Sequence, residues 1–339
     1  MSLHVVFGSG PVGQAVISRL LETGASVRLV TRGPRAAALD ARVAHARADA
    51  TDAASARLAC KGATHVYNCT NAAQYHRWPE QFPPLQQGVL GGARAQGAVL
   101  IAVENLYVYG PHAGVPMTEG LALGGRGPRS TTRVEMTQAL EAAHQHGEVR
   151  VVRVRASDLI GPGVLESMAG ERLFGPLLAG KSVQVLADLS LPHAVTSVTD
   201  FAKTLVAAAL DERAQGLVLH APSLNPTPAE LISVIAAEAG LPVPRVSAPS
   251  RRVARLLLPA LGLFVPPMRG LSENVYMFYE PFIVDAQRAT ALLGVEATPL
   301  RETVRAAIAW YRARAPAGGG ARRQPIGATG QGGVSGGGR

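Results

Sequence analysis

Glycines at 8, 10 and 13, in the order Gly8-Ser9-Gly10-Pro11-Val12-Gly13, are the first residues whose spacing implies chemistry. In this G-x-G-x-x-G pattern each glycine has its own physical task. Gly8 permits a tight turn, Gly10 lets the backbone approach a pyrophosphate, and Gly13 lets a helix pack closely on the preceding strand. Free N–H groups and the positive end of the helix dipole favour an anion there. Pro11 costs little, because first-turn amides have no intrahelical partner. With Val12, these residues form a cradle for the phosphates of a dinucleotide. Further on, Thr31-Arg32-Gly33 offers no carboxylate to a ribose 2′-hydroxyl. The Arg32 guanidinium, with Arg35 close behind, suits a 2′-phosphate instead, so NADP(H) is expected in preference to NAD(H), which stays possible.

Other candidates follow along the chain. Asp49 is placed to face an adenine amino group, and Asp52 or Thr51 to cap the next helix. Asn68, Cys69 and Thr70 are small polar residues at a strand's carboxyl end, where a cofactor backbone can pass. The stretch Gln74-Tyr75-His76-Arg77-Trp78-Pro79 is either a loop over the nicotinamide or a packed surface turn. His76 is an acid/base candidate, because imidazole is the side chain suited to that work; Tyr75 and Trp78 are candidates for contact with substrate. No metal site is expected: His144 and His146 do not share a helix face, and Cys60 and Cys69 lack ligand spacing.

These residues need a frame. Residues 3–7, 26–30, 43–46, 64–68 and 98–103 read as strands, with helical segments at 14–23 and 84–96. Strand and helix in alternation imply an α/β fold: a Rossmann-type doubly wound parallel sheet with helices on both faces. From 165 onward helices mix with short strands at 182–185 and 217–220, and Thr227 with Glu230 forms a capping box. The expected division is a nucleotide domain over 1–160 with sheet contributions from about 193–220. A smaller C-terminal substrate subdomain covers 161–315, and a disordered glycine-rich tail 316–339.

Composition narrows the partners. Hydrophobic residues make up 47% and charged ones 17%, a globular balance. The net charge of +9 comes mostly from arginines that are scattered, without aromatic interleaving. This argues against nucleic acid. The most apolar run, 256–265, is about half the length a bilayer requires and contains Pro259, which argues against a membrane. The N-terminus enters a strand directly, and the two cysteines form no disulfide framework. The expectation is a cytoplasmic monomer or homodimer acting on a small molecule.

Glu104-Asn105-Leu106-Tyr107-Val108-Tyr109-Gly110 resembles the serine-serine-x-x-valine-tyrosine-glycine strand end of extended short-chain dehydrogenases/reductases. These are the NAD(P)-dependent sugar epimerase and dehydratase group. Arg155 with Gly161-Pro162-Gly163 resembles that family's loop past the nicotinamide. The segment from His193 to Asp200 resembles its return from the substrate subdomain, and 281–285 its last turn. The resemblance covers about 1–310 and implies hydride transfer on a hydroxy or carbonyl substrate.

The chain departs from the family where protons move. A Tyr-x-x-x-Lys pair is implied on the helix near 130–146, where lysine lowers the phenol pKa. That helix has neither residue, and none of the seven tyrosines has a lysine four positions later. Asn105 stands where the catalytic serine is implied, and the glycine motif is shorter than the G-x-x-G-x-x-G usual there. Tyr107 is the free phenol near the expected nicotinamide, whereas Tyr109 matches a structural tyrosine. Arg126, Arg129 and Arg133 either bind a carboxylate or phosphate or form a solvated helix face. His193 is a second acid/base candidate that competes with an anchoring role, and Glu119 belongs to a loop over 111–128. Two readings follow: an atypical NADP(H)-dependent oxidoreductase or epimerase/dehydratase, and a catalytically silent NADP(H)-sensing protein.

Overall fold

The computed structural model describes residues 2–36, 39–72, 74–264 and 271–314. The expected glycine-rich tail at 316–339 and the end of the apolar run at Val265 lie outside the described residues.

Strand and helix alternate as their apolar periods require. β1 (Leu3–Phe7), α1 (Pro11–Glu22), β2 (Ser26–Thr31), β3 (Val43–Arg47), α2 (Ala53–Ala59) and β4 (His65–Asn68) open the chain. Next come α3 (Trp78–Gln96), β5 (Val99–Asn105), α4 (Pro128–Gln145) and β6 (Arg150–Ala156). Then follow β7 (Asp158–Ile160), α5 (Glu171–Leu178), β8 (Val183–Gln184), β9 (Val195–Ser197), α6 (Val198–Leu210) and β10 (Val218–His220). The chain closes with α7 (Pro228–Ala239), β11 (Val246–Ser247), α8 (Arg251–Phe264), α9 (Tyr276–Tyr279), α10 (Gln287–Leu293) and α11 (Leu300–Arg314).

Seven parallel strands form the central sheet in the order β3-β2-β1-β4-β5-β6-β10. The order reverses between β1 and β4, so a crevice opens beyond their carboxyl ends. Because strand side chains alternate, Val6 lies on one face with Leu29 and Tyr67, under α1 and α6. Val5 and Phe7 point to the other face, under α2, α3 and α4. Gly88 and Gly92 let α3 approach closely: an added Cβ would lie 1.7 Å from the Ala50 carbonyl oxygen and 2.6 Å from Cys60 Sγ.

One helix begins earlier than its sequence suggests. Expected from 84, α3 starts at Trp78 and runs through Pro83 and Pro84. Pro79 sits in the first turn, where it needs no partner. Trp78 and Phe82, one turn apart, are 2% and 5% exposed. Burying two aromatics outweighs the helix bonds the later prolines forgo.

A second core gathers α5, α7 and α11, where Phe174 stacks on Tyr311 and the Tyr311 hydroxyl donates to the Val164 carbonyl. β7 pairs with β9 and β8 with β11 at its edge. Thr227 Oγ1 accepts from the Glu230 amide and caps α7, as the sequence implied. The seam between this layer and the sheet's carboxyl edge holds the residues considered next.

Candidate functional site

The glycine turn places its three residues in three different surroundings. Gly8 has φ +106°, and a Cβ there would meet the Cys69 carbonyl oxygen at 2.5 Å. A Cβ on Gly13 would lie 2.1 Å from the Gly8 carbonyl oxygen. Packing within the chain therefore demands both. A Cβ on Gly10 meets nothing within 4 Å, and no side chain caps α1 at this position. The first-turn amides of Val12 and Gly13 thus begin a helix whose mouth is open. Gly163, from the loop after β7, approaches Pro11 to 3.4 Å by the same measure and closes one side.

A cleft of about 500 Å³ spreads from this turn, lined by Gly8, Gly10, Thr31, Arg32, Cys69 and Thr70, with Ala48, Ala50 and Thr51 along one wall. Arg32 is exposed at the end of β2, and no carboxylate follows it on that strand end. Thr31 Oγ1 bonds His45 Nε2 at 2.8 Å and is held to the sheet. Asp49, placed by sequence toward adenine, accepts from both the Thr51 amide and hydroxyl through Oδ1, each at 2.8 Å. Those bonds hold its carboxyl below the usual range, with the nearby Arg32 charge adding to them. Asp52, not Thr51, caps α2. Asn68 turns inward, where its Oδ1 accepts from the Thr70 hydroxyl at 2.7 Å, leaving Cys69 and Thr70 on the cleft. Burial pushes the Cys69 thiol up to about 12, so it stays protonated.

Beyond the β5 end lies an aromatic wall. Asn105 Oδ1 accepts from the Tyr107 amide and fixes a 3₁₀ turn, Leu106–Tyr109. The Ser130 hydroxyl donates to the Tyr107 carbonyl and ties that turn to α4. The Tyr107 ring stacks on Trp78 at 5.7 Å, and Trp78 on Tyr75 at 4.5 Å. Burial is the main cause that drives the Tyr107 phenol well above its ordinary value; Tyr75 and Asp158 add to it and Arg129 opposes it. Of the alternatives for 74–79, packing is realised by Tyr75 and Trp78, whereas His76 is exposed on the intervening turn and makes no hydrogen bond among the described residues.

The arginines of α4 do not form a solvated face. Arg129 and Arg133 are 2% and 6% exposed. Arg133 lies over the Phe82 ring at 4.9 Å and donates to the Val103 carbonyl at 3.3 Å. Arg129 lies over the Tyr75 ring at 5.4 Å. His193 is buried between Phe278 and Phe282, with Nε2 2.7 Å from Asp158 Oδ2 and Nδ1 3.0 Å from the Met277 carbonyl. Both ring nitrogens face acceptors, so His193 anchors Asp158 and the return segment from within the core.

Behind the wall runs a buried polar network. Glu104 and Arg155 pair at 2.9 Å, and Arg155 donates to the Tyr109 hydroxyl at 2.7 Å. That hydroxyl lies 2.6 Å from His220 Nε2, while His220 Nδ1 faces the Asp285 carbonyl. Each donor has an acceptor, which is what a buried network requires. Tyr109 is thereby a structural residue.

The sequence matches the family model described as "NAD dependent epimerase/dehydratase family" over residues 5–218, more than half of the chain. The chain belongs to that family. Comparison with curated protein sequences finds no match. Among solved structures, a UDP-glucuronic acid 4-epimerase from Bacillus cereus in complex with NAD superposes with TM-score 0.71 at 16% identity. A UDP-glucose 4-epimerase from Bifidobacterium longum, in complex with NAD+ and UDP, gives 0.72 at 18%. One from Thermus thermophilus in complex with NAD gives 0.73 at 17%. Each pairing covers 92% of this chain and 99% of the other. At such identities the likeness is one of fold. The family is one of NAD-dependent epimerase-type enzymes, and a resident NAD(P)(H) fits the open mouth over Gly10.

Two further residues stand at this epimerase-family seam. Asp158, just past β6, reaches His193 and faces the two phenols; its place at a strand's carboxyl end was the available signal. Glu273 reaches Arg129 and the Ser130 amide across 143 residues, and no local pattern announces it.

Proposed function

We propose that this chain binds NADP(H) in preference to NAD(H) and acts on a small hydroxy or carbonyl compound, with Tyr107 carrying the proton. The observation that carries the cofactor part is Arg32, exposed on the cleft beside Thr31 at the end of β2 without a carboxylate after it. A guanidinium there binds a 2′-phosphate bidentately, and a carboxylate would repel it. Gly8, Gly10, Pro11, Val12 and Gly13 cradle the pyrophosphate, and Cys69 and Thr70 flank its path. When bound, the dinucleotide supplies or accepts hydride.

The chain's own residues then handle position and charge. Tyr107, raised by burial, keeps its proton at neutral pH and donates to an oxygen on which negative charge develops. Asn105 and Ser130 fix the turn that presents it. Tyr75 and Trp78 form the wall that excludes water. Two buried free cysteines fit a reducing cytoplasm.

A silent NADP(H)-sensing protein remains the second reading, favoured by one observation. The buried pair on α4 is arginine at both places, and arginine does not release protons. Turnover separates the two.

Calorimetric titration with NADPH and NADH, on the wild type and Arg32→Ala, tests the cofactor assignment. NADPH affinity should fall about tenfold or more in the variant, with NADH little changed, given ~1.5–3 kcal/mol for charged hydrogen bonds. Equal losses for both would remove the NADP(H) preference. No binding of either by the wild type would remove the oxidoreductase reading.

A further inference from the structure

An arginine sealed from water costs free energy unless its N–H groups find acceptors. Arg129 has not found them. Its side chain is 3% exposed, yet Nε, Nη1 and Nη2 make no hydrogen bond among the described residues. Glu273 Oε2 stands 3.5 Å from Nε, too poorly aligned to accept from it. Glu273 is held there because its other oxygen accepts from the Ser130 amide at 2.9 Å. Among the described residues, the carboxylate within 4 Å of this guanidinium is that of Glu273, at the Nε edge.

The same wall holds a second unpaired donor. Trp78 Nε1 is buried without a hydrogen-bond partner among the described residues, and Trp78 stacks between Tyr75, which lies under Arg129, and Tyr107. Guanidinium and indole are donors only. What completes them must be rich in acceptors. Arg133, four residues on, has no such need, because its guanidinium reaches the Val103 carbonyl and covers Phe82. Of the two arginines that stand at dyad spacing on α4, one is a strut and one is unspent.

We propose that Arg129 binds a carboxylate of the substrate, which makes the substrate a hydroxy acid or oxo acid whose reacting oxygen faces Tyr107. This rests on the oxidoreductase reading above and narrows its substrate class. A planar carboxylate matches the guanidinium fork with two parallel bonds. A phosphate dianion fits less well, because Glu273 and Asp158 already bring negative charge to this seam. Arg129 binds and orients; the proton belongs to Tyr107.

The test uses the full chain with saturating NADPH and a panel of short 2-oxo and 2-hydroxy acids, each beside its uncharged amide or methyl ester. Binding is read by calorimetry on the wild type, Arg129→Gln and Arg129→Lys. The acids should bind the wild type and the neutral partners at least about tenfold more weakly, as expected for loss of a charged hydrogen bond. Arg129→Gln should lose about tenfold to a hundredfold for the acids alone, with Arg129→Lys between. NADPH affinity should be the same in all three proteins. Equal binding of acids and neutral partners, acid binding indifferent to Arg129→Gln, or no acid bound at about 10 mM would each overturn the proposal. A merely structural arginine predicts a lower melting temperature in Arg129→Gln with acid binding unchanged. Acids bound through Arg129 without any NADPH binding would keep the carboxylate site and remove the oxidoreductase reading. NADPH binding with no preference for acids would do the reverse.

Discussion

The cradle at the β1 turn and the seam beyond β5 sit at the same edge of one sheet and are built by opposite means. The cradle is backbone: a Cβ added at Gly8 or Gly13 would fall 2.5 or 2.1 Å from a carbonyl oxygen, and Gly10 is left open. The seam is side chain: Tyr75, Trp78, Tyr107, Arg129, Asp158, His193 and Glu273 meet from segments scattered between positions 75 and 273. Backbone geometry tolerates almost no substitution. Side chains on a fixed frame can be exchanged, which lets one fold host different chemistry.

Breaking the cradle gives the largest effect. Gly13→Ala drives a Cβ into the Gly8 carbonyl and should destabilise the protein by about 3 kcal/mol or more, the upper range for overpacking, while abolishing cofactor binding. Gly10→Ala sharpens the contrast. With open space around its Cβ, it should leave the melting temperature within about 2 °C yet weaken NADPH about tenfold or more, because a methyl blocks the pyrophosphate. Thermal melts and calorimetry on the pair check both. Equal loss of stability in the two variants would erase the distinction between packed and ligand-facing glycines.

Acid should weaken the sheet beneath both regions through its buried histidines. In the sheet, burial above all, with the His65 charge adding, lowers His4 from 6.5 to about 4, and burial also lowers His65 and His220. The unfolded chain then binds more protons than the folded one between those values. Stability is therefore full above pH 6.5 and falls as pH drops toward 4, by about 3 kcal/mol from His4 alone. Denaturant melts at pH 7 and 5 should show the loss, and His4→Gln should reduce it. A pH-independent midpoint over that range would contradict the burial of these rings as neutral groups.

The smallest effect belongs to the seam's own support. Asp158→Asn keeps the shape but takes a charge from the His193 contact, and should cost about 1–2 kcal/mol, with NADPH affinity unchanged. Loss of NADPH binding in this variant would show that seam and cradle are one unit.

What could be read in advance follows the same division. The strands at 3–7 and 98–103 and the glycine turn are local patterns, and the doubly wound sheet follows from their alternation with helices. Tyr109 was legible as structural, although its partners Arg155 and His220 were not paired with it by any spacing. The start of α3 was hidden by Pro79, Pro83 and Pro84, whose local preference yields to burial of Trp78 and Phe82. Asp49 is held in place by Thr51, two residues away, through a single carboxylate oxygen, a local bond that the sequence did not announce.

The sequence by itself determined the α/β sheet, the glycine-rich turn before α1 and the guanidinium at the end of β2, because each depends on residues adjacent in the chain. Tertiary structure alone decided which arginine of α4 is a strut and which finds no hydrogen-bond acceptor among the described residues, and that His193 serves Asp158. Those outcomes turn on burial, and burial is set by neighbours that the chain brings back only when the second layer closes on the first.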